Sequence, residues 1–304
     1  MGYGLHTVQQ RITMTIAILG CGPTGLLAAH ACTLEGYDVA IFSRKRKSEL
    51  FGSQYLHNPI PGLTPESDKG VPVKYVVRGT PEEYRRKTHG KWWDGHIGQD
   101  EFEPDHQAWD IRQHYDMLWR TYVGKIEPYS IPTKGMVASF FKRENSDVGV
   151  GGYVNWDLGL SEYELVISTV PRDIWQLPGD EYIYSEGWAI GDAPERGVFV
   201  DDLVEGRELF DKDNTIICDG TSLVPWTRLS KVHGFTSIEW PHHAAQPHTQ
   251  AVRVRKPLHY TPGPHQNGSP TANWLHVGRY GQFEKGVVVT DAFDQVTKKL
   301  KEMQ

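Results

Sequence analysis

A glycine turn set between two apolar segments constrains this chain more than any other feature. Residues Thr15–Leu19 (TIAIL) form a short apolar run, and Gly20-Cys21-Gly22-Pro23-Thr24-Gly25 follows directly. Leu26–Glu35 then carries Leu27, Ala31 and Leu34 at helical spacing, Gly36 supplies a stop, and Tyr37–Ser43 (YDVAIFS) is a second apolar run. GxGxxG alone is a weak motif. Between a strand and a helix, and closed by a second strand within about 30 residues, it specifies a dinucleotide-binding βαβ unit. Gly20 permits the tight turn, Gly22 lets backbone approach a pyrophosphate, and Gly25 lets helix and strand pack closely. Pro23 and Thr24 open the helix, whose N-terminus offers N–H donors and partial positive charge to phosphates.

The end of the second strand leaves the dinucleotide open. An acidic residue there accepts hydrogen bonds from ribose hydroxyls in many such folds. This chain has Ser43, followed by Arg44-Lys45-Arg46-Lys47. Ser43 and Arg44 suit a ribose 2′-phosphate, hence NADP, as well as they suit a solvated basic turn beside the adenosine of FAD.

Composition narrows the classes. With 304 residues, 38% hydrophobic and 23% charged, the chain is long enough for a large core and too balanced for disorder. A net charge of −6 gives no global pull toward nucleic acid or anionic membrane. The three cysteines, Cys21, Cys32 and Cys218, are odd in number and lack CxxC spacing, which fits a reducing, cytoplasmic setting without disulfides. No apolar run approaches the roughly 20 residues of a membrane helix.

Further along, 49–70 is rich in Gly, Pro, Ser and Asn and reads as a long loop. Val71–Arg78 reads as a strand and Pro81 opens a short charged helix. Ile111, Tyr115, Leu118 and Tyr122 mark a helix with one buried face, flanked by Trp109 and Trp119. Strands dominate from Tyr182 to Tyr260. Trp274–Val277, the turn Gly278-Arg279-Tyr280-Gly281 and a helix striped by Val289, Phe293, Val296 and Leu300 close the chain.

Three segments resemble flavoproteins. Gly20–Cys32 (GCGPTGLLAAHAC) is similar to the N-terminal FAD signature of flavin hydroxylases and amine-oxidase-like enzymes. Leu165–Pro171 (LVISTVP) resembles the strand and turn that return to the flavin in the amine-oxidase and UDP-galactopyranose mutase superfamily. His276–Asp294 resembles that superfamily's closing strand, Gly-Arg and helix. The resemblance implies FAD as cofactor, with Thr169, Val170, Gly278, Arg279 and Val288 beside it and the helix opening near 287–289 facing the ring. It implies an α/β fold: a Rossmann-like FAD-binding domain with an interleaved β-rich substrate domain. The expected division is 14–60, 145–178 and 265–304 for the first part, 61–144 and 179–264 for the second. The segments cover roughly a quarter of the chain, and nothing in them names a substrate.

The substrate side rests on single residues. In the loop Gly52–His57, Gln54 is a candidate hydrogen-bond donor to a ring edge and His57 a candidate proton carrier. Thr88-His89-Gly90-Lys91-Trp92-Trp93 reads as a turn whose Trp residues fill core, with a pocket wall for a planar or sugar-like ligand as the alternative. Lys231 and His233 are candidates to hold a water or a substrate carboxylate. Pro241–His248 contains three imidazoles, but no carboxylate or cysteine pattern completes a metal site. The expected protein is an FAD-dependent oxidoreductase acting on a small, nucleotide-like or sugar-like molecule. NADP chemistry, a mutase-like reaction without net redox change, and cofactor binding without turnover are the alternatives.

Overall fold

A computed structural model describes residues 14–90, 106–128, 160, 163–174, 179–192, 213–263 and 273–304. In it β1 (Thr15–Leu19) runs into the glycine turn and α1 (Pro23–Leu34), and β2 (Asp38–Ser43) returns parallel to β1. The register pairs Thr15 with Asp38 and Leu19 with Phe42. Pro23 opens α1, where its missing N–H costs nothing. The helix ends at Glu35–Gly36, with Gly36 at φ 84°, a conformation glycine adopts without strain.

Three further strands complete a five-stranded parallel sheet: β5 (Ile126–Pro128), β6 (Val166–Ser168) and β12 (Trp274–His276), in the order β12-β6-β1-β2-β5. Because β1 has β2 on one side and β6 on the other, the winding reverses between β1 and β6. Ligands of open α/β sheets bind in the crevice at such a reversal, beyond the carboxyl ends of the strands. Here those ends are Leu19–Gly20 and Ser168–Thr169.

Helices α3 (Ile111–Tyr122) and α5 (Val289–Met303) pack with α1 on one face of this sheet. The apolar spacing read for α3 and α5 is met: Ile111, Tyr115, Leu118 and Tyr122 are buried, as are Phe293, Val296 and Leu300. In α1 the expected stripe is too narrow. Leu26, Leu27, Ala28, Ala29, Ala31 and Cys32 are all buried because the helix is enclosed by sheet and both neighbouring helices, while Leu34 is 50% exposed. The segment carrying α3 and β5, expected within the second part (61–144), belongs to this layer, because the apolar face of α3 docks on α1 and β5 pairs with β2.

The second sheet has seven strands: β3 (Val71–Arg78), β4 (His106–Ala108), β7 (Glu181–Gly191), β8 (Thr215–Asp219), β9 (Arg228–Val232), β10 (Phe235–Pro241) and β11 (Val252–Thr261). Their order is β11-β7-β10-β9-β8-β3-β4, antiparallel except for β3 beside β8. Helix α2 (Pro81–His89) begins with a capping box: the Glu83 amide donates to Thr80 Oγ1 at 3.1 Å and the Thr80 amide to Glu83 Oε2 at 2.7 Å. Near its end the Lys87 ammonium donates to the carbonyls of Thr221 (2.7 Å) and Val224 (2.8 Å), fixing the loop after β8. The 49–70 loop is irregular, as read, and is pinned by one pair of backbone bonds between Leu56 and Trp109. The Gly278–Gly281 turn is instead a short helix, α4 (Gly278–Gln282), stopped by Phe283 at φ 60°. The buried Phe283 ring sits edge-on to Tyr182 and Tyr184, joining the end of α4 to the second sheet. No described helix is long and apolar enough to cross a membrane.

The packing distinguishes two leucines. Leu300→Ala, at a position with no exposed surface, should destabilise by about 2–5 kcal/mol in denaturant unfolding. Leu34→Ala should change stability by less than about 0.5 kcal/mol.

Candidate functional site: the glycine turn and an adjoining cavity

The site is built on very close backbone approaches. A Cβ on Gly25 would lie 2.1 Å from the Gly20 carbonyl oxygen, and one on Gly20, which sits at φ 106°, would lie 2.5 Å from Thr169 Oγ1. Thr169 holds this junction by donating from its amide (3.0 Å) and its hydroxyl (2.9 Å) to the Leu19 carbonyl. Val170 packs against the same glycine. From the other side Gly278, at φ 72°, receives the Thr24 side chain: a Cβ there would come within 2.5 Å of Thr24 Cγ2. The structure therefore brings together Gly20, Thr24, Gly25, Thr169, Val170 and Gly278, which are far apart in sequence.

Gly22 differs from its neighbours. A Cβ on it would meet only Ser48 Oγ, at 3.7 Å, and no side chain caps α1. Among the described residues the backbone at Gly22 is therefore open to close approach at the start of the helix, which is where an anion would gain from the free N–H groups. Tyr115 braces the turn from below, donating to the Cys21 carbonyl at 2.9 Å and accepting from the Ser48 amide at 3.0 Å.

At the end of β2 Ser43 is buried, at 8% exposure, and Arg44 is exposed. Lys47 forms an ion pair with Asp116. One of the four basic residues is thus tied to α3 rather than free to meet a phosphate.

Two segments run from the turn to a cavity of about 230 Å³ over the second sheet. One is the loop from Ser48, beside Gly22, to Ser53, Tyr55 and His57 on the cavity wall. The other begins at Gly278, against Thr24, and continues to Arg279 and to Lys285–Val288, which also line the cavity. Arg279 donates from Nε and Nη2 to the Pro257 carbonyl, at 3.1 and 3.0 Å, which fixes α4 on β11. Val288 precedes α5, and its amide donates to Asp291 Oδ2 at 2.8 Å. His57 stacks on His106 at 5.4 Å between centroids and lies 4.7 Å from the Tyr55 ring. The Tyr55 hydroxyl is 2.9 Å from His106 Nε2 and 3.1 Å from the Tyr75 hydroxyl.

Other candidates lie elsewhere. Gln54 does not face the cavity: its amide turns back to the Phe51 carbonyl at 2.7 Å. Lys231 pairs with Asp213, and His233 sits at a hairpin turn with Nε2 3.2 Å from the Ala108 carbonyl. Both are at the far ends of β9 and β10 and do not line the cavity, because the strand register carries Arg228 and Glu239 to it instead. Trp92 and Trp93 are outside the described residues, whereas Thr88 and His89 line the cavity. Among the described residues no group of three His, Cys, Asp or Glu side chains is placed to hold a metal.

The sequence reading missed the charged core of the cavity. Glu239 on β10 forms ion pairs with Arg228 on β9, at 3.7 Å, and with Lys256 on β11. Burial pushes the Glu239 carboxyl up, but Lys256 and Arg228 more than offset this and hold it at about 2. Arg228 also donates to the Tyr84 hydroxyl at 2.9 Å. The available signal was a charge inside an apolar strand: Ile238-Glu239-Trp240 has no reason to bury a carboxylate unless cations await it. Burial, with Arg172 nearby, pushes His276 down to about 4, so this ring on β12 is neutral at physiological pH.

Two measurements follow from this geometry. Gly25→Ala should destabilise by about 1–3 kcal/mol or prevent folding, since backbone and not a flexible side chain obstructs the Cβ. Glu239→Gln should cost about 3–5 kcal/mol at neutral pH by leaving Arg228 and Lys256 without their counter-charge. Because the folded value of Glu239, about 2, lies below its ordinary 4.5, its stabilisation is complete above pH 4.5 and is lost as pH falls through 2. The variant should lack that part of the acid limb in unfolding at stepped pH.

No family model matches the chain, and no curated protein matches it. Among solved structures it is similar to the tetrameric form of 2-methyl-3-hydroxypyridine-5-carboxylic acid oxygenase, with 13% identity over 96% of this chain and 88% of that one, at a TM-score of 0.47. It is similar to CtdE in complex with FAD and substrate 4, with 13% identity over 95% and 80% of the two chains, at 0.48. It also resembles 2,6-dihydroxypyridine-3-hydroxylase from Arthrobacter nicotinovorans, with 19% identity over 77% and 58%, at 0.39.

Proposed function

We propose that this protein is an FAD-dependent oxidoreductase, with the pyrophosphate at the glycine turn and the reactive ring at the cavity. One observation carries the proposal: both segments that flank the open first turn of α1 also form the cavity wall. An extended dinucleotide is the kind of ligand that occupies two such connected places at once. Gly22 and the start of α1 would hold the phosphates, Ser43 would meet the adenosine ribose, and Thr169, Val170, Gly278, Arg279 and Val288 would border the flavin. The residues 14–60, 163–174 and 273–304, with 111–128 added, form the cofactor part in this proposal, and the second sheet the substrate part.

When bound, the flavin would accept or donate a hydride or electrons. The chain's own contribution is placement and proton handling. His57, held by stacking against His106, is the proposed proton carrier at the cavity. Tyr55 and Tyr75 offer flat faces to a substrate on the same wall.

NADP is the second reading, favoured by Arg44 directly after Ser43 at the strand end. The visible spectrum of the purified protein, followed by chromatography of the cofactor released on denaturation, separates the two. Flavin bands with FAD released are expected. A colourless protein that does not take up added FAD but binds NADPH would refute the flavin proposal. Gly22→Leu should abolish FAD retention with little change in melting temperature, because an added Cβ there makes ordinary contact with the Ser48 side chain and meets no backbone.

A further inference from the structure

We infer that Tyr115 on α3 is a positioning residue for diphosphate recognition, one that aims the Gly22 N–H at the ligand by holding the carbonyl of Cys21. The inference rests on the glycine turn being a dinucleotide site and names what orients that turn from outside the βαβ unit.

The geometry of one peptide unit is the first argument. The Tyr115 hydroxyl donates to the Cys21 carbonyl at 2.9 Å. No described peptide bond is cis, and in a trans peptide the carbonyl and the following N–H point in opposite directions. The Gly22 N–H therefore points away from Tyr115. Among the described residues nothing accepts from it, and a Cβ on Gly22 would meet only Ser48 Oγ, at 3.7 Å. With the Cys21 carbonyl held by the buried tyrosine, an approaching phosphate meets a donor at this peptide and not a repelling oxygen.

The second argument is that the same hydroxyl holds the segment facing Gly22. It accepts from the Ser48 amide at 3.0 Å, and Ser48 carries the atom that a Cβ on Gly22 would meet. Lys47 pairs with Asp116, so residues 47 and 48 are tied to two successive residues of α3. Packing alone does not demand this use of a tyrosine. Tyr122, two turns further along α3 and equally 2% exposed, donates instead to Thr33 Oγ1 at 3.0 Å, near the other end of α1. The two tyrosines join the same pair of helices, and only Tyr115 reaches the turn.

The test is calorimetric titration with ADP of the full chain freed of bound nucleotide. ADP carries the diphosphate common to FAD and NADP. Tyr115→Phe keeps the ring and removes both bonds, and ADP affinity should fall about tenfold. Tyr122→Phe also removes a bond between α3 and α1, and its ADP affinity should stay within about twofold of wild type. Both variants should melt earlier than wild type. Gly22 has a φ of −67°, which proline shares, so Gly22→Pro deletes the N–H itself without strain at that angle. It should lose at least as much ADP affinity as Tyr115→Phe, and more than Gly22→Ala, which adds a Cβ and keeps the N–H. Unchanged binding in Tyr115→Phe, an equal loss in Tyr122→Phe, or no ADP binding by the wild-type protein overturns the inference. So does Gly22→Pro that binds as well as Gly22→Ala, an outcome that counts even where Tyr115→Phe does not fold. FAD uptake, read by absorbance in the same samples, judges the cofactor separately: a colourless protein whose ADP binding needs Tyr115 loses the flavin proposal and keeps this one.

Discussion

Everything in the candidate site depends on how closely Gly25 sits over the carbonyl of Gly20. That contact sets the angle at which α1 leaves β1, and so the direction in which its first turn faces. Thr169 completes the junction by placing both of its donors on Leu19, which locks β6 to the turn at the reversal point of the sheet. Gly278 then allows the closing segment to press on Thr24. Three stretches separated by more than a hundred residues share one junction because a glycine stands opposite each threonine that enters it, Gly20 against Thr169 and Gly278 against Thr24.

The second sheet solves a different problem. It buries a carboxylate and at least two cations around a cavity, an arrangement whose desolvation cost is large and whose net contribution to stability is small. A purely apolar layer would pack as well. Arg228, Glu239 and Lys256 therefore mark the place where this layer departs from plain apolar packing.

The parts legible in the sequence were those governed by local rules. The βαβ unit, the strand at Val71–Arg78, and the buried faces of α3 and α5 follow from glycine geometry and from apolar periods of two or 3.6 residues. The burial of α1 on nearly all sides was not legible, because it depends on what packs beyond the helix. The placement of α3 and β5 with the first sheet was hidden for the same reason: strand partnership at Ile41–Ile126 is non-local. Lys231 and His233 looked plausible as isolated residue types, yet strand register, which one sequence does not reveal, sends them to the far hairpin. His57 lies on the cavity wall, at the end of the loop that follows β2 directly.

The pair of backbone bonds between Leu56 and Trp109 has a mechanical side. It is the only strand-like pairing in the 49–70 segment among the described residues. Trp109 stands between β4 of the second sheet and α3, which docks on α1, so the wall bearing Ser53, Tyr55 and His57 hangs from the link between the two layers. A shift of one layer against the other would be felt at the cavity wall through backbone and not through side-chain contacts.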